Sequence, residues 1–203
     1  NTKLCKNSED DCVERKMSKE VALFSKKTIS KIAIFDLDGT LYFENSHMKI
    51  IQQYYTLGFV LIIILRVIAY LFPVVHMMLL NILYDGIDIK YKSNFLLPFR
   101  PEIIAILKQK KEEGFVPIIV SNAPFELVRS AALQLGIDFL QAPIGNKAKV
   151  FLGRYFSEDI FVCTDNYTDK DILDMADNRV ILVSEKTRKM FSEYVGRALF
   201  INK

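Results

Sequence analysis

Apolar positions along this chain fall into short runs separated by polar, periodic stretches. The first informative run is Lys31 to Leu41, KIAIFDLDGTL, in which Ile32 to Phe35 is apolar, Asp36 follows directly, and Gly39-Thr40 closes the segment. Its length and its turn signal predict a buried parallel strand. Pro98 and Pro101 bracket a turn, and Glu102–Glu113 carries Ile103, Ile104, Ile106 and Leu107 at helical spacing, ended by Gly114. A second strand is predicted over Phe115–Val120 and a helix over Phe125–Leu135, closed by Gly136. A short strand near Phe139–Gln141, a helix over Ala148–Tyr155, a strand over Asp159–Thr164 and a helix beginning at Lys170–Ala176 follow. Val180–Val183 reads as a last core strand and Ser184–Phe200 as a terminal helix. Strand and helix alternate, which predicts an α/β, Rossmann-like parallel sheet with helices on both faces.

The stretch between the first strand and Pro98 breaks this texture. Leu57 to Tyr84 is 28 residues long, with Arg66, His76 and Asn81 as its clearly polar interruptions. A bilayer span needs about 20 apolar residues, so crossing a membrane, lying in its interface and forming a buried helical layer all come into question. The candidate catalytic residues lie on both sides of this run, so catalysis requires an even number of crossings or none. Two full crossings need about 40 apolar residues, more than the run holds. A helical hairpin broken near Pro73 is the expected shape. Its apolar face meets a membrane surface or lipid, or else it is plain core or dimer packing. The organisation expected is a polar extension over 1–30, a core made of 31–41 and 98–203, and a hydrophobic helical insertion over 42–97.

Composition narrows the class. The chain has 203 residues, enough for one substantial core. Its net charge of +3 comes with no concentrated basic stripe, which speaks against nucleic acid as a partner. Cys5, Cys12 and Cys163 make neither an even disulfide framework nor a metal spacing, and two histidines argue against zinc. The first 31 residues are charged, with apolar residues in ones and short runs, unlike a signal peptide. A cytoplasmic location, peripheral on the cytoplasmic face of a membrane if the hairpin meets lipid, is the expectation.

The candidate chemistry lies where strands end. Asp36 and Asp38 stand two residues apart, and extended geometry would send both carboxylates off one side of the chain. Carboxylates that close need a cation or a shared proton, or else DLDG is only a polar exit from the strand. Ser121 is the first polar residue after Val116 to Val120, where a hydroxyl can hold an anion or cap the next turn. Asp165 follows the run Ile160 to Thr164, and Asp169 lies four residues on. A third carboxylate in one pocket makes sense as a metal ligand, and hard oxygen ligands favour Mg²⁺. Lys147 and Lys149 follow Gly145 at the mouth of a helix, where by itself either reads as an ordinary surface lysine.

DLDGTL resembles motif I of the haloacid dehalogenase-like hydrolases, and VSN and TDNYTD are similar to their motifs II and IV. The second aspartate is the phosphatase form of the motif. The resemblance implies a phosphomonoesterase with Asp36 as nucleophile, Asp38 as acid/base and Ser121 as the motif II hydroxyl, assisted by Asn122. It implies Lys147, with Lys149 as runner-up, as the motif III lysine that binds the phosphate. It implies Mg²⁺ on Asp36, Asp165 and the carbonyl of Asp38, with Asp169 in support. Thr164 stands where glycine is usual. The position of the insertion is that of a C1-type helical cap. Its texture and the PFRPE turn resemble haloacid dehalogenase-like domains joined to bacterial membrane prenyltransferases. That second resemblance implies a lipid or polyprenyl phosphate substrate and a membrane enzyme as partner. A soluble small-metabolite phosphatase or phosphomutase, and a catalytically silent membrane-associated scaffold, are the alternatives.

Overall fold

The computed structural model describes residues 26–203. Most of the expected polar extension, with Cys5 and Cys12, lies outside them.

Chain order explains the architecture. A two-residue strand β1 (Lys27–Thr28) precedes β2 (Lys31–Phe35). Helices α1 (Ser46–Tyr54), α2 (Gly58–Leu71), α3 (Pro73–Asp85), α4 (Ile89–Asn94) and α5 (Pro101–Glu112) come next. Then follow β3 (Val116–Ser121), α6 (Phe125–Leu135), β4 (Asp138–Gln141), α7 (Lys147–Arg154), β5 (Tyr155–Phe156) and β6 (Asp159–Thr164). The chain closes with α8 (Lys170–Leu173), β7 (Asn178–Val183), α9 (Glu185–Arg188) and β8 (Leu199–Asn202). Six strands form one sheet in the order β4-β3-β2-β6-β7-β8, every pair parallel. β1 pairs with β5 in a separate small sheet.

The period of two along each strand divides the core into two layers. Ile32 and Ile34 pack with Ile118, Val120, Phe151 and Ile181 on one face. Ala33 and Phe35 pack with Ile103, Ile119, Leu127 and Phe161 on the other. Near-continuous apolar strands are what a sheet covered on both faces requires.

Two expectations need correction. The predicted terminal helix over Ser184–Phe200 is instead the short α9, a tight 3-10 turn over Lys189–Tyr194, and β8. Leu199, Phe200 and Ile201 pair with Val180, Ile181 and Leu182 and extend the sheet by an edge strand. Four residues carry too little period to announce a strand, and β7 supplies the ladder that makes them one. Extended geometry also stops at Asp36. Leu41 N–H donates to Asp36 O and Tyr42 N–H to Leu37 O, so Asp38 lies in a turn.

The apolar stretch folds as two helices, with the break at Phe72 and Pro73. A proline at the first position of α3 brings no N–H and fits a helix start. Ile62, Leu65, Leu80 and Tyr84 join the same core layer as Phe35. The two connections to this helical segment meet side by side, through a bridge between Tyr42 and Phe99 and stacked rings 5.0 Å apart. Among the described residues no helix is long and apolar enough to cross a membrane.

Candidate active site

The carboxyl ends of β2, β3 and β6 lie next to one another, because β2 is hydrogen-bonded to both neighbours. Asp36 continues β2, its N–H donating to Cys163 O at 3.0 Å. Ser121 ends β3, and Asp165 follows β6. Ligand sites in parallel sheets form at this edge, where side chains leave the last residues of central strands.

Lys147 is the centre of charge. Its ammonium donates to Asp36 Oδ1 at 2.8 Å and to Asp169 Oδ2 at 2.7 Å, and its side chain is 2% exposed. Burial disfavours its charge, but Asp36 and Asp169 more than offset this and hold it above the usual lysine range. Thr164 Oγ1 donates to the same Asp169 oxygen at 2.6 Å. Asp169 thus orients Lys147, and Lys147 presents a fixed cation to Asp36. Lys149, two residues on, points to solvent.

Asp38 has a different environment. The N–H of Ser46, the first residue of α1, donates to Asp38 Oδ1 at 2.9 Å. Burial pushes the Asp38 carboxyl up to about 7; the Ser46 N–H opposes this, and the charges of Asp36 and Asp165 add to it. Two neighbouring carboxyl groups are therefore set apart, one ion-paired with Lys147 and the other holding a proton near neutral pH.

Asp165 accepts from Thr40 Oγ1 at 3.0 Å and from the Lys203 ammonium. Its carboxyl is raised by burial and by the charge of Asp36, against the pull of Lys203 and Thr40. Gly39 lies against it. A Cβ on Gly39 would come within 2.3 Å of Asp165 Oδ2, and the glycine has φ +75°. Only a residue without a side chain lets the turn after β2 approach this carboxylate.

Ser121 is fully buried, and its Oγ accepts from Ala123 N–H at 3.4 Å. Asn122 is exposed. The structure therefore brings Asp36, Asp38, Lys147, Asp169, Asp165 and Ser121 to one sheet edge, and leaves Lys149 outside the ion-pair cluster. Thr40, Thr164, Ser46 and Lys203 are partners that sequence reasoning did not assign. Thr40 stands inside DLDGTL and was within reach of a spacing argument; Ser46 and Lys203 carry no local signal.

Among the described residues no three His, Cys, Asp or Glu side chains form a ready-made metal cage. The donor set still fits a hard cation. A site made of two carboxylates and a carbonyl needs no third carboxylate, and at Asp165 the Lys203 ammonium already stands where positive charge is wanted.

The family model of the haloacid dehalogenase-like hydrolases matches residues 33–166, two thirds of the chain and both strand ends that carry Asp36 and Asp165. The chain belongs to this family of hydrolases. Several solved structures share its fold. A protein of unknown function from Bordetella pertussis Tohama I aligns over 87% of this chain and 99% of its own, at 11% identity and a TM-score of 0.64. A phosphoserine phosphohydrolase-like protein from Francisella tularensis subsp. tularensis SCHU S4 covers 84% of this chain and 94% of its own, at 14% identity and a TM-score of 0.60. The phosphoserine phosphatase from T. onnurineus covers 76% and 84%, at 19% identity and a TM-score of 0.52. At these identities the likeness speaks for the fold. No curated protein matches the sequence.

Proposed function

We propose that the chain is a Mg²⁺-dependent phosphomonoesterase that works through an aspartyl-phosphate on Asp36. The observation that carries this reading is the division of labour between two acids: Asp36 is paired with the Lys147 ammonium, and burial holds the proton on Asp38. Lys147 occupies Oδ1 of Asp36, and among the described residues Oδ2 accepts no hydrogen bond and is left to attack phosphorus. As the new P–O bond forms, the ester P–O bond breaks and Asp38 gives its proton to the leaving oxygen. Asp38, now a carboxylate, takes a proton from the water that attacks the phosphoryl group, and Asp36 is released. The Lys147 ammonium and the Ser121 hydroxyl hold the transferred oxygens. Asp36, Asp165 and the Asp38 carbonyl would hold Mg²⁺, which would supply positive charge to those oxygens. The helices over 46–94 serve as a cap that excludes water.

The broad apolar exposure of α2 and α3 favours a phosphorylated lipid over a soluble metabolite as the substrate. Phosphate release with Mg²⁺ tests both points. Polyprenyl and lysophospholipid phosphates in detergent are set against sugar phosphates and phosphoserine in buffer, with Asp36→Asn as control. Turnover of the lipid phosphates that is lost in the variant is the expected result. Turnover confined to soluble phosphates would overturn the lipid reading. Turnover that survives Asp36→Asn, or failure of beryllium fluoride to bind at Asp36, would overturn the mechanism.

A further inference from the structure

The surface of the α2–α3 hairpin is apolar where a surface in water is normally polar. On α2, Phe59, Ile63, Val67 and Tyr70 are exposed, the last at 88%. On α3, Val74 is 84% exposed and Met78 is also open. The opposite faces, at Ile62, Leu65 and Leu80, are buried in the core layer. An apolar helix face alone does not identify what covers it. The turn does.

Turns that face water draw on Gly, Asn, Asp and Ser. This one reads Leu71-Phe72-Pro73-Val74, and Phe72 is 60% exposed. Its backbone is satisfied internally only in part. Phe72 N–H donates to Ile68 O at 2.6 Å, Phe72 O accepts from His76 N–H at 3.0 Å, and Pro73 has no N–H. The N–H groups of Val74 and Val75 and the carbonyls of Tyr70 and Leu71 have no partner among the described residues, so this apolar tip suits the boundary between headgroups and acyl chains, where water still reaches them. A second protein chain seated on the helix faces would leave such a tip in water.

Length and the residues at the far end of the hairpin point the same way. The 14 residues of α2 rise about 21 Å, too short for a hydrocarbon core of about 30 Å and long enough to enter one leaflet. At the end of the hairpin away from the tip, Tyr54 and Tyr91 stack edge to face at 5.1 Å, both partly exposed, beside exposed Lys90. Tyrosine and lysine are the residues that settle at headgroup level. Within 46–94 the exposed bases are Arg66 and Lys90, because Lys92 is buried over the Tyr84 ring and Lys49 pairs with Glu44; of the exposed acids Asp85 and Asp88, the second is engaged as the cap of α4. Arg66 is exposed six residues before the tip, and its long stem lets the guanidinium reach back to a phosphate.

We propose that the α2–α3 hairpin is a monotopic membrane anchor whose Phe72–Pro73 tip dips into one leaflet of a bilayer, at the boundary of headgroups and acyl chains, while the sheet and its site stay outside. This deepens the lipid-phosphate reading above, which gives the anchor its purpose, but the docking stands on the hairpin alone. The hairpin continues from α1, whose first N–H holds Asp38, so an anchored hairpin would set the acid close to the headgroup plane.

The chain contains no tryptophan, so Phe72→Trp installs a single reporter. With vesicles of phosphatidylcholine and phosphatidylglycerol, its emission should shift to the blue and be quenched by lipids brominated along the acyl chain. Vesicle flotation should fall about tenfold in Val74→Asp, a change at an open position, with the circular dichroism unaltered. Asp36→Asn should float like the parent chain, so a failed mechanism and a failed anchor are told apart. An unshifted tryptophan that aqueous iodide still quenches in the presence of vesicles would overturn the proposal. So would sedimentation showing a dimer in buffer that Val74→Asp dissociates, because a second copy would then be the occupant.

Discussion

The backbone N–H of Ser46 donates to Asp38 Oδ1 at 2.9 Å and so ties the proposed general acid to the first turn of the helical insertion. The acid's environment is thus built from both parts of the chain. The core turn places the carboxyl, and the first turn of the insertion holds one of its oxygens.

That burial has a pH signature. Asp38 keeps its proton up to about pH 7, well above the usual carboxylate value. The acid form is the one that protonates a leaving alkoxide, so activity on alkyl phosphates should decline as pH rises through about 7. Asp38→Asn should lower kcat on such esters by about 10²–10⁴. The loss should be much smaller on p-nitrophenyl phosphate, whose leaving group needs no proton. Rate–pH profiles on the two ester types check this.

Lys147 and Lys149 should behave as opposites. Lys147→Met leaves Asp36 and Asp169 without their shared cation in a buried site, a change that should cost about 3–5 kcal/mol of stability as well as turnover. Lys149→Met alters an exposed side chain and should stay within about 0.5 kcal/mol. Urea unfolding midpoints and phosphate release distinguish them.

Gly39→Ala should abolish turnover. Alanine at φ +75° carries backbone strain of about 1–3 kcal/mol, and its Cβ would push Asp165 away from Asp36. Reduced Mn²⁺ binding by electron paramagnetic resonance, in a variant that still folds, is the expected readout.

The Lys203 ammonium sits on Asp165, where the proposed cation would bind. Lys203→Met should therefore tighten Mn²⁺ binding by about threefold, the scale of a part-exposed ion pair. Unchanged or weaker binding, titrated in the same way, would show that the ammonium does not compete.

His47 links stability to pH. Burial lowers it to about 4; its ring stacks edge-on against Tyr84 at 4.9 Å, and among the described residues Nε2 has no partner. The unfolded chain takes up this proton near pH 6.5 and the folded chain does not. The neutral imidazole's advantage is therefore complete above about 6.5 and is lost as pH falls towards 4. The loss amounts to roughly 3 kcal/mol at most. Urea midpoints at pH 7.5 and 5 should converge in His47→Leu.

Much of this protein is legible in its residue order, for a physical reason. Strand and helix faces are local patterns, so Ile32 to Phe35, Val116 to Ser121 and Asp159 to Thr164 announce themselves, and each ends in a polar residue that must lie at the sheet edge. The break at Pro73 is equally local, because a proline cannot continue the helix before it. What remained open depends on groups far apart in the chain. Lys147 and Lys149 look alike in GNKAKVF, and it took the approach of Asp36 and Asp169, 111 and 22 residues away, to tell them apart. β8 exists because β7 offers it a ladder. The proton on Asp38 follows from desolvation at the sheet edge, and the contacts of Lys203 and Ser46 follow from where residues beyond β8 and the start of α1 come to lie. Periodicity is written one residue at a time; desolvation and charge pairing arise only once the chain has brought distant side chains into the same low-dielectric space.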